Sequence, residues 1–218
     1  MKRAWLSLGI AAAFAAIACS TSAVSAQAVD GHAVGARAAY ADVSLVSADE
    51  GDRTLDGILL GAEGRASWRR LQIGVQYMQG RVRGSGPVSE GADIRVAQGL
   101  VGIRVLPWVV LHAGPRFLET GTSGGERHTL RWQAGASVSV PLVRDWVHGF
   151  GSAVGSVVGS ELDPRPYTGR GGVTVGVTLT PAGLPTWASV GYRMDKEGNE
   201  SGVRTIETIQ IGIGWRGG

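Results

Sequence analysis

The last apolar stretch of the chain reads Ile209-Gln210-Ile211-Gly212-Ile213-Gly214-Trp215. Large apolar residues alternate with glutamine and glycine at every position. In a β-strand, alternation with period two places all the large apolar side chains on one face and the small or polar ones on the other. This stretch therefore predicts a strand with one continuous apolar face, and its opposite face lacks the charged residues typical of a surface in water.

The same alternation recurs along the chain and predicts ten strands, with eight as the alternative if neighbouring segments merge. Two segments are ambiguous. A change of apolar parity near Gln98-Gly99 indicates a β-bulge, and residues 146–160 fit either register. The predicted strands are 32–46, 55–67, 69–81, 93–105, 108–118, 127–140, 146–160, 168–180, 186–194 and 203–215.

Composition supports an all-β chain. Glycine makes up 35 of the 218 residues, and each interior glycine costs a helix about 1 kcal/mol. The single cysteine, Cys19, excludes a disulfide scaffold, and a charged fraction of 18% argues against a disordered chain. Many of the glycines fall on the small or polar parity of the predicted strands.

The first residues are typical of a secretory signal peptide. Lys2 and Arg3 precede an apolar run over 4–18, and small residues allow cleavage after Ala26 or two residues later. We therefore expect a signal peptide over 1–26 and a mature domain over 27–218. Residues 16–19 also resemble a lipobox, which would make Cys19 a lipidated N-terminus. Cleavage leaves 19 basic and 18 acidic residues, so charge gives no reason to expect nucleic-acid binding.

The connections between the predicted strands are of two kinds, which alternate along the chain. When the connection 82–92 is extended by one residue to include Asp93, the longer, polar connections hold 12 of the 18 acidic residues. The short connections hold only Asp145. Two different ends of one barrel would produce this asymmetry. The longer connections are 47–54, 82–92, 119–126, 161–167 and 195–202, and the short ones are 68–69, 106–108, 141–146 and 181–185.

Tryptophans cluster at the short-turn end, where Trp68, Trp108, Trp146, Trp187 and Trp215 all lie. Indole rings favour a membrane interface because the ring is apolar while its N–H seeks a polar partner. We therefore predict an aromatic girdle at this end. The alternative is that these rings plug the end of a soluble barrel. A further tryptophan at position 132 is the exception, because it falls in mid-strand.

Taken together, these segments resemble the small bacterial outer-membrane β-barrel proteins, over about residues 29–218. The most specific part is the last strand, which resembles their C-terminal assembly signal, although residues 216–218 follow its final aromatic. The resemblance implies a closed, antiparallel, up-and-down transmembrane barrel, integral to a Gram-negative outer membrane. It also implies contact with membrane lipids and lipopolysaccharide, insertion by the barrel-assembly machinery, and a monomer.

The competing fold is a secreted soluble barrel of the lipocalin or streptavidin kind, with its apolar parity inside and its polar parity facing water. Composition argues against it. The polar parity consists of Gly, Ser, Thr, Gln and single arginines, whereas a surface in water is rich in Lys and Glu. Lys196 is the only lysine outside the predicted signal peptide.

If the apolar parity faces lipid, the charged residues of the other parity line the lumen. Charges at the lipid midplane would cost about 2–4 kcal/mol each, so an inward orientation alone is no evidence of function. The lumen would be either a plug of Arg–Glu pairs or an arginine-lined path for anions. The predicted luminal residues are Arg37, Glu63, Arg65, His112, Arg116, Arg131 and Arg170, with Arg104 left unassigned.

The sequence contains no recognisable catalytic, cofactor or metal motif. The four histidines are not followed at the second position by serine, as outer-membrane lipid-modifying enzymes require, and no HExxH occurs. Omptin-type proteases use Asp and His residues at the outer rim of the barrel. In a barrel of that kind, the residues that would converge at the rim are Asp49, Asp52, Asp163 and His128. We expect no enzyme and no cofactor, but a structural or surface-interaction role. The alternatives are a small anion or solute channel, and an outer-membrane lipid-modifying enzyme or protease.

Overall fold

The computed structural model describes residues 31–47, 53–84, 91–122, 125–144, 146–161, 169–199 and 202–217. Within these ranges the chain forms ten strands, which confirms the predicted number. No helix among the described residues is long and apolar enough to cross a membrane. The strands are β1 (Gly31–Ser47), β2 (Arg53–Trp68), β3 (Leu71–Gly84), β4 (Gly91–Leu106), β5 (Val109–Thr122), β6 (Gly125–Val143), β7 (Val147–Glu161), β8 (Gly169–Leu179), β9 (Thr186–Asn199) and β10 (Gly202–Gly217).

The ten strands form one closed antiparallel barrel. Each strand pairs with the next in sequence, and β1 pairs with β10, so that Ala38 lies opposite Ile211. Closure gives every strand a hydrogen-bonded neighbour on both sides, which is the condition for a sheet to cross lipid. The fold is therefore the up-and-down barrel that the alternating segments predict.

The outer face of the barrel is apolar. Along β10 the side chains of Ile209, Ile211 and Ile213 are 57%, 58% and 67% exposed, and every second residue between them faces inward. Similar exposed apolar residues occur on the other strands, for example Leu60 and Val175. A continuous apolar surface of this kind is stable only against lipid or a partner.

A second aromatic girdle lies at the opposite end of the apolar band from the tryptophan-rich turns. Trp132, the exception in the sequence, faces outward and is 54% exposed. Four other aromatic residues have the outward parity of their strands. They lie where the outward-facing residues of their own or a neighbouring strand change from apolar to charged. These are Tyr40, Tyr77, Phe117 and Tyr192. Aromatic rings at both ends of an apolar band are typical of a membrane-spanning barrel.

The strands continue beyond this second girdle. They contain from 11 to 19 residues, whereas about 9–11 tilted residues cross a bilayer. The extra length lies on the side of the long connections, where outward-facing residues become charged. Asp42, Asp56 and Arg81 are examples. The hairpins therefore project past the membrane as a folded extension of the barrel wall.

The predicted bulge near Gln98-Gly99 is wrong. Gln98 pairs with Arg116 and Val101 with Ala113 in the same register, and the irregularity in this pair of strands falls between Arg104 and Leu106 instead. The apolar parity changes because Ile94 is buried inside the barrel, whereas Val101 faces out and is 53% exposed. The change of alternation in the sequence therefore marks a change in which face of the strand is apolar, and the strand register does not shift there.

The ambiguous register of β7 is also resolved. Val154 lies opposite Gly172 and Phe150 opposite Gly176, and these even-numbered β7 positions face the lumen. Between Trp132 and Gln133 the β6–β7 register then shifts by one residue. Residues 146–160 therefore keep one inward parity only as far as this irregularity. No single alternation fits the whole segment, which explains why both registers fitted the sequence.

Inside the barrel, an apolar cluster fills the end near the long connections. It lies on the walls formed by β1–β5 and β10, and its members are at most 8% exposed. Because these side chains pack against one another, the extended part of the barrel has a core of its own. The cluster consists of Ala39, Ala41, Val43, Leu59, Met78, Val82, Ala92, Ile94, Leu118 and Ile206.

Candidate functional site: the charged lumen

The middle of the lumen is occupied by carboxylates that each bind two arginines. Asp195, on β9, accepts two parallel hydrogen bonds from Arg116 on β5, with both N···O distances 2.9 Å. The same carboxylate accepts bonds from Arg193 at 2.8 and 3.0 Å. The side chain of Asp195 is only 7% exposed. Paired bonds of this type are the strongest that arginine makes with a carboxylate.

Glu197, two residues further along the same face of β9, repeats the arrangement. It forms ion pairs with Arg131 on β6 and with Arg204 on β10. The Arg204 Nε atom lies 3.1 Å from its Oε2, and the Glu197 side chain is 6% exposed. Because Asp195 and Glu197 lie on the same strand, β9 supplies both carboxylates that tie together four strands of the barrel wall.

A third luminal carboxylate, Glu63, lies closer to the short-turn end. The Arg37 Nη2 atom on β1 is 2.7 Å from Glu63 Oε2 on β2, and Arg37 Nη1 donates to Gln210 Oε1 at 2.8 Å. Gln210 Nε2 in turn donates to Thr208 Oγ1 at 2.8 Å. These bonds join three neighbouring strands across the point where the barrel closes.

The network adjoins a small polar cavity and carries surplus positive charge. Five arginines share three carboxylates in these contacts. A polar cavity of about 20 Å³ lies beside Arg116, Gln133 and Glu197, which is room for about one water molecule. Arg116 Nε and Gln133 Oε1 are buried there without a hydrogen-bond partner in the described part of the chain. A small polar cavity beside such atoms suits a bridging water.

The structure places the sequence-predicted luminal residues as follows. Arg37, Glu63, Arg116 and Arg131 point inward and belong to the ion-pair network. His112 and Arg65 do not join it in the described contacts. His112 is half-buried on the inward face of β5, and Arg65 has the inward parity of β2 but is exposed near the short turns. Arg170 has its backbone in β8, and its side chain lies outside the described residues.

The sequence-based prediction lacked two of the three carboxylates of this network, Asp195 and Glu197. It ended the ninth strand at residue 194 and assigned Asp195 and Glu197 to an exposed connection, whereas β9 continues to Asn199 and both are buried. The signal was present, because Arg193, Asp195 and Glu197 continue the inward parity of the strand. In the sequence alone, charged residues at the end of a strand are assigned to a loop, because their partners on distant strands are unknown.

The tryptophan prediction needs one correction. Trp108, Trp146 and Trp215 are 49%, 43% and 53% exposed at the short-turn end, and Trp68 is half-buried there. Trp187 instead points into the lumen and is 9% exposed. It has the odd parity of β9, and its indole packs where Gly35, Gly212 and Gly214 leave space. Trp187 therefore occupies part of the lumen at the short-turn end.

At the other end, His128 faces outward and stacks on Phe117, with ring centroids 5.9 Å apart. Its Nδ1 atom lies 3.5 Å from Glu119, which also binds Arg95 at 2.6 Å. The candidate protease acids Asp49, Asp52 and Asp163 lie outside the described residues. Among the residues that are described, no three His, Cys, Asp or Glu side chains are grouped to hold a metal ion.

Closure, the apolar outer face and the two girdles decide the environment of this protein. The interior of this barrel is charged, whereas a soluble barrel has an apolar core. Its exterior is apolar, and such a surface is stable in contact with lipid. This chain is an integral outer-membrane β-barrel. Its short turns lie on the periplasmic side and its long connections on the outside.

Comparisons with known proteins give likenesses to solved barrels. No protein-family model and no curated protein matches the chain. Neisserial surface protein A is 17% identical, with 84% of this chain and 96% of that one covered and a TM-score of 0.39. The translocator domain of the Neisseria meningitidis autotransporter NalP is 14% identical, with 85% and 88% covered and a TM-score of 0.45.

Ail, the attachment invasion locus protein of Yersinia pestis, is 12% identical, with 86% of this chain and 99% of that one covered and a TM-score of 0.33. The assignment of this chain to the membrane rests on its own closure, apolar outer face and girdles.

Proposed function

We propose that this protein is a plugged outer-membrane barrel, a non-conducting scaffold whose outer hairpins serve a structural or surface-interaction role. The observation that supports this most directly is the sharing of Asp195 and Glu197 by four arginines. Those side chains cross the lumen and bond to each other, and the apolar cluster fills the space on the outer side. Together these side chains occupy the middle and the outer end of the lumen, which supports a plug.

The packing of the outer extension supports the same role. Residues such as Ala41, Val82 and Ala92 are at most 1% exposed although they lie toward the outer end of the strands. The described outer ends of the strands are thus packed against one another, which suits a surface that binds another molecule. We propose further that the barrel acts as a monomer in contact with lipid and lipopolysaccharide, is inserted by the barrel-assembly machinery, and is not an enzyme.

Planar-bilayer recording of the purified, refolded protein tests the plug. We expect no steady current from the natural sequence. Asp195→Ala combined with Glu197→Ala removes the shared acceptors of four arginines, so we expect an anion-selective current from this variant. Asp93→Ala serves as the matched control, because its exposed ion pair with Arg81 spans 3.8 Å on the outer face. A steady current from the natural sequence would contradict the plug.

The second candidate, an anion channel, draws its support from the surplus of arginine in the lumen. It makes the opposite prediction for the same recording, since the natural sequence would then conduct anions. Unchanged lipid A and phospholipid profiles after expression, with no cleavage in a peptide-library assay, would exclude the enzyme alternatives.

A further inference from the structure

The periplasmic end of the barrel carries a concentration of exposed arginine. Arg69 and Arg70 form the turn between β2 and β3, Arg144 follows β6, and Arg216 lies at the end of β10; all four are exposed. In the sequence, Asp145 is the single acidic residue of the short connections. The four arginines and Asp145 together have a net charge of +3, whereas the acidic residues concentrate at the outer end.

These arginines are spread around the barrel. The β2–β3 turn and the β6–β7 turn are separated by β3–β6 on one side of the closed sheet. Backbone bonds fix two of the positions: Arg104 N donates to Arg70 O, and Arg216 N donates to Pro185 O, both at 2.7 Å. The positive charge thus forms an interrupted ring at one level of the membrane, which we call the basic ring.

Each part of the basic ring adjoins a girdle tryptophan. Trp68 precedes Arg69, Trp146 follows Arg144 by two residues, and Trp215 precedes Arg216. An indole at the hydrocarbon boundary places a neighbouring guanidinium at the level of the lipid headgroups. Arginine binds phosphate with two parallel hydrogen bonds, so this level is where its geometry is best used.

The turns themselves do not require arginine. Arg69 and Arg144 have φ angles of 49° and 47°, a left-handed backbone conformation that favours glycine or asparagine. A basic side chain at these positions is thus present against the local conformational preference. The shape of the turn therefore gives no reason for arginine at these positions.

We propose that the basic ring is an interaction surface for the anionic phospholipids of the periplasmic leaflet. In this arrangement an arginine binds a headgroup phosphate while the adjacent indole packs on the upper part of the acyl chain. The proposal rests on the membrane orientation of the barrel and is independent of whether the lumen conducts. An anionic lipid surface attracts each nearby arginine substantially, and the attraction is screened by salt.

Tryptophan quenching by brominated lipids tests this directly. The processed chain, with Trp132→Phe to silence the outer girdle, is folded into vesicles that contain brominated phosphatidylglycerol or brominated phosphatidylcholine. We expect the girdle tryptophans to prefer phosphatidylglycerol by about fivefold at low salt, the factor that corresponds to about 1 kcal/mol for one arginine contact. The preference should approach one in 1 M NaCl.

A charge-removing variant and a matched control complete the test. Arg69→Gln, Arg70→Gln, Arg144→Gln and Arg216→Gln together should abolish the preference, whereas Arg81→Gln with Arg83→Gln at the outer end should retain it. Equal quenching by both lipids in the natural sequence would overturn the proposal, as would equal loss in both variants. Equal quenching combined with co-sedimentation with peptidoglycan would assign the basic ring to that polymer. If the fourfold variant does not fold, the single variants Arg144→Gln and Arg216→Gln are measured at low salt and in 1 M NaCl. Each should lower the preference for phosphatidylglycerol at low salt, and an unchanged preference in both would overturn the proposal.

Discussion

At the scale of single residues, the interior of this barrel depends on complementary size. Trp187 is the largest inward side chain at the periplasmic end, and three glycines on β1 and β10 make room for it. The alternating glycines of β10, which first indicated a strand with one small face, are thus explained by a ring that belongs to the neighbouring strand. Small and large residues face each other across a narrow lumen.

We predict that Gly212→Ala destabilises the barrel by about 1–3 kcal/mol, because overpacking displaces well-packed side chains. A Cβ atom at this position would lie 2.9 Å from Ser189 Oγ and 3.0 Å from Trp187 Cζ3. The free energy of unfolding, measured by denaturant titration in phospholipid vesicles, checks this. Gly155→Ala is the control, since a Cβ there meets nothing within 4 Å. Equal stability of both variants would show that Trp187 has room to move.

At the scale of the strands, register sets which charges become neighbours on the outer face. Asp42 on β1 lies directly opposite Asp56 on β2 and Glu207 on β10. Three acidic residues in adjacent outward positions repel one another. Sequence spacing alone did not reveal this row, because its members are far apart in the chain and meet only when β1 and β10 close the barrel.

We predict that Asp42→Asn stabilises the barrel by about 0.2–1 kcal/mol at neutral pH, since like charges directly opposite each other destabilise a sheet. The gain should shrink in 1 M salt because the repulsion is screened. Asp93→Asn is the matched control, because Asp93 faces Arg81 instead of another acid. It should give no gain. Denaturant unfolding of the two variants at low and high salt provides the measurement, and an equal gain from both would contradict the argument.

The strands were the most predictable part of the molecule. All ten predicted segments overlap an observed strand because the period of two follows from local backbone geometry. Their ends were predicted less well, and β9 shows why. A strand that leaves the membrane loses its apolar face, so the alternation that marks it disappears while the hydrogen-bonded ladder continues to Asn199.

At the scale of the whole molecule, charge is polarised along the barrel axis, with arginine at the periplasmic turns and carboxylates toward the outside. This asymmetry and the unequal connections give the barrel a defined orientation in the membrane. Thr54, exposed near the start of β2, belongs to the outer extension, whereas Ala182, exposed between β8 and β9, belongs to the short turns. The two positions should therefore be reached from opposite sides.

We predict that Thr54→Cys reacts with a membrane-impermeant maleimide on intact cells, and that Ala182→Cys reacts only after the outer membrane is permeabilised. The single natural cysteine, Cys19, lies within the predicted signal peptide, so the unmodified protein serves as the background control. Labelling is read by gel shift. Reaction of Ala182→Cys on intact cells would reverse the assigned orientation.

The sequence by itself predicted ten strands, the inner and outer faces of most of them and the barrel class, because each follows from alternation within one segment. It also identified four of the residues in the luminal network, Arg37, Glu63, Arg116 and Arg131. Only the tertiary structure decided which charges meet. Asp195 and Glu197 became partners of Arg116 and Arg131 through closure of the sheet, and Trp187 moved from the girdle to the lumen by the parity of its strand. Pairing across the lumen joins residues that are far apart in the chain, and no local pattern records that distance.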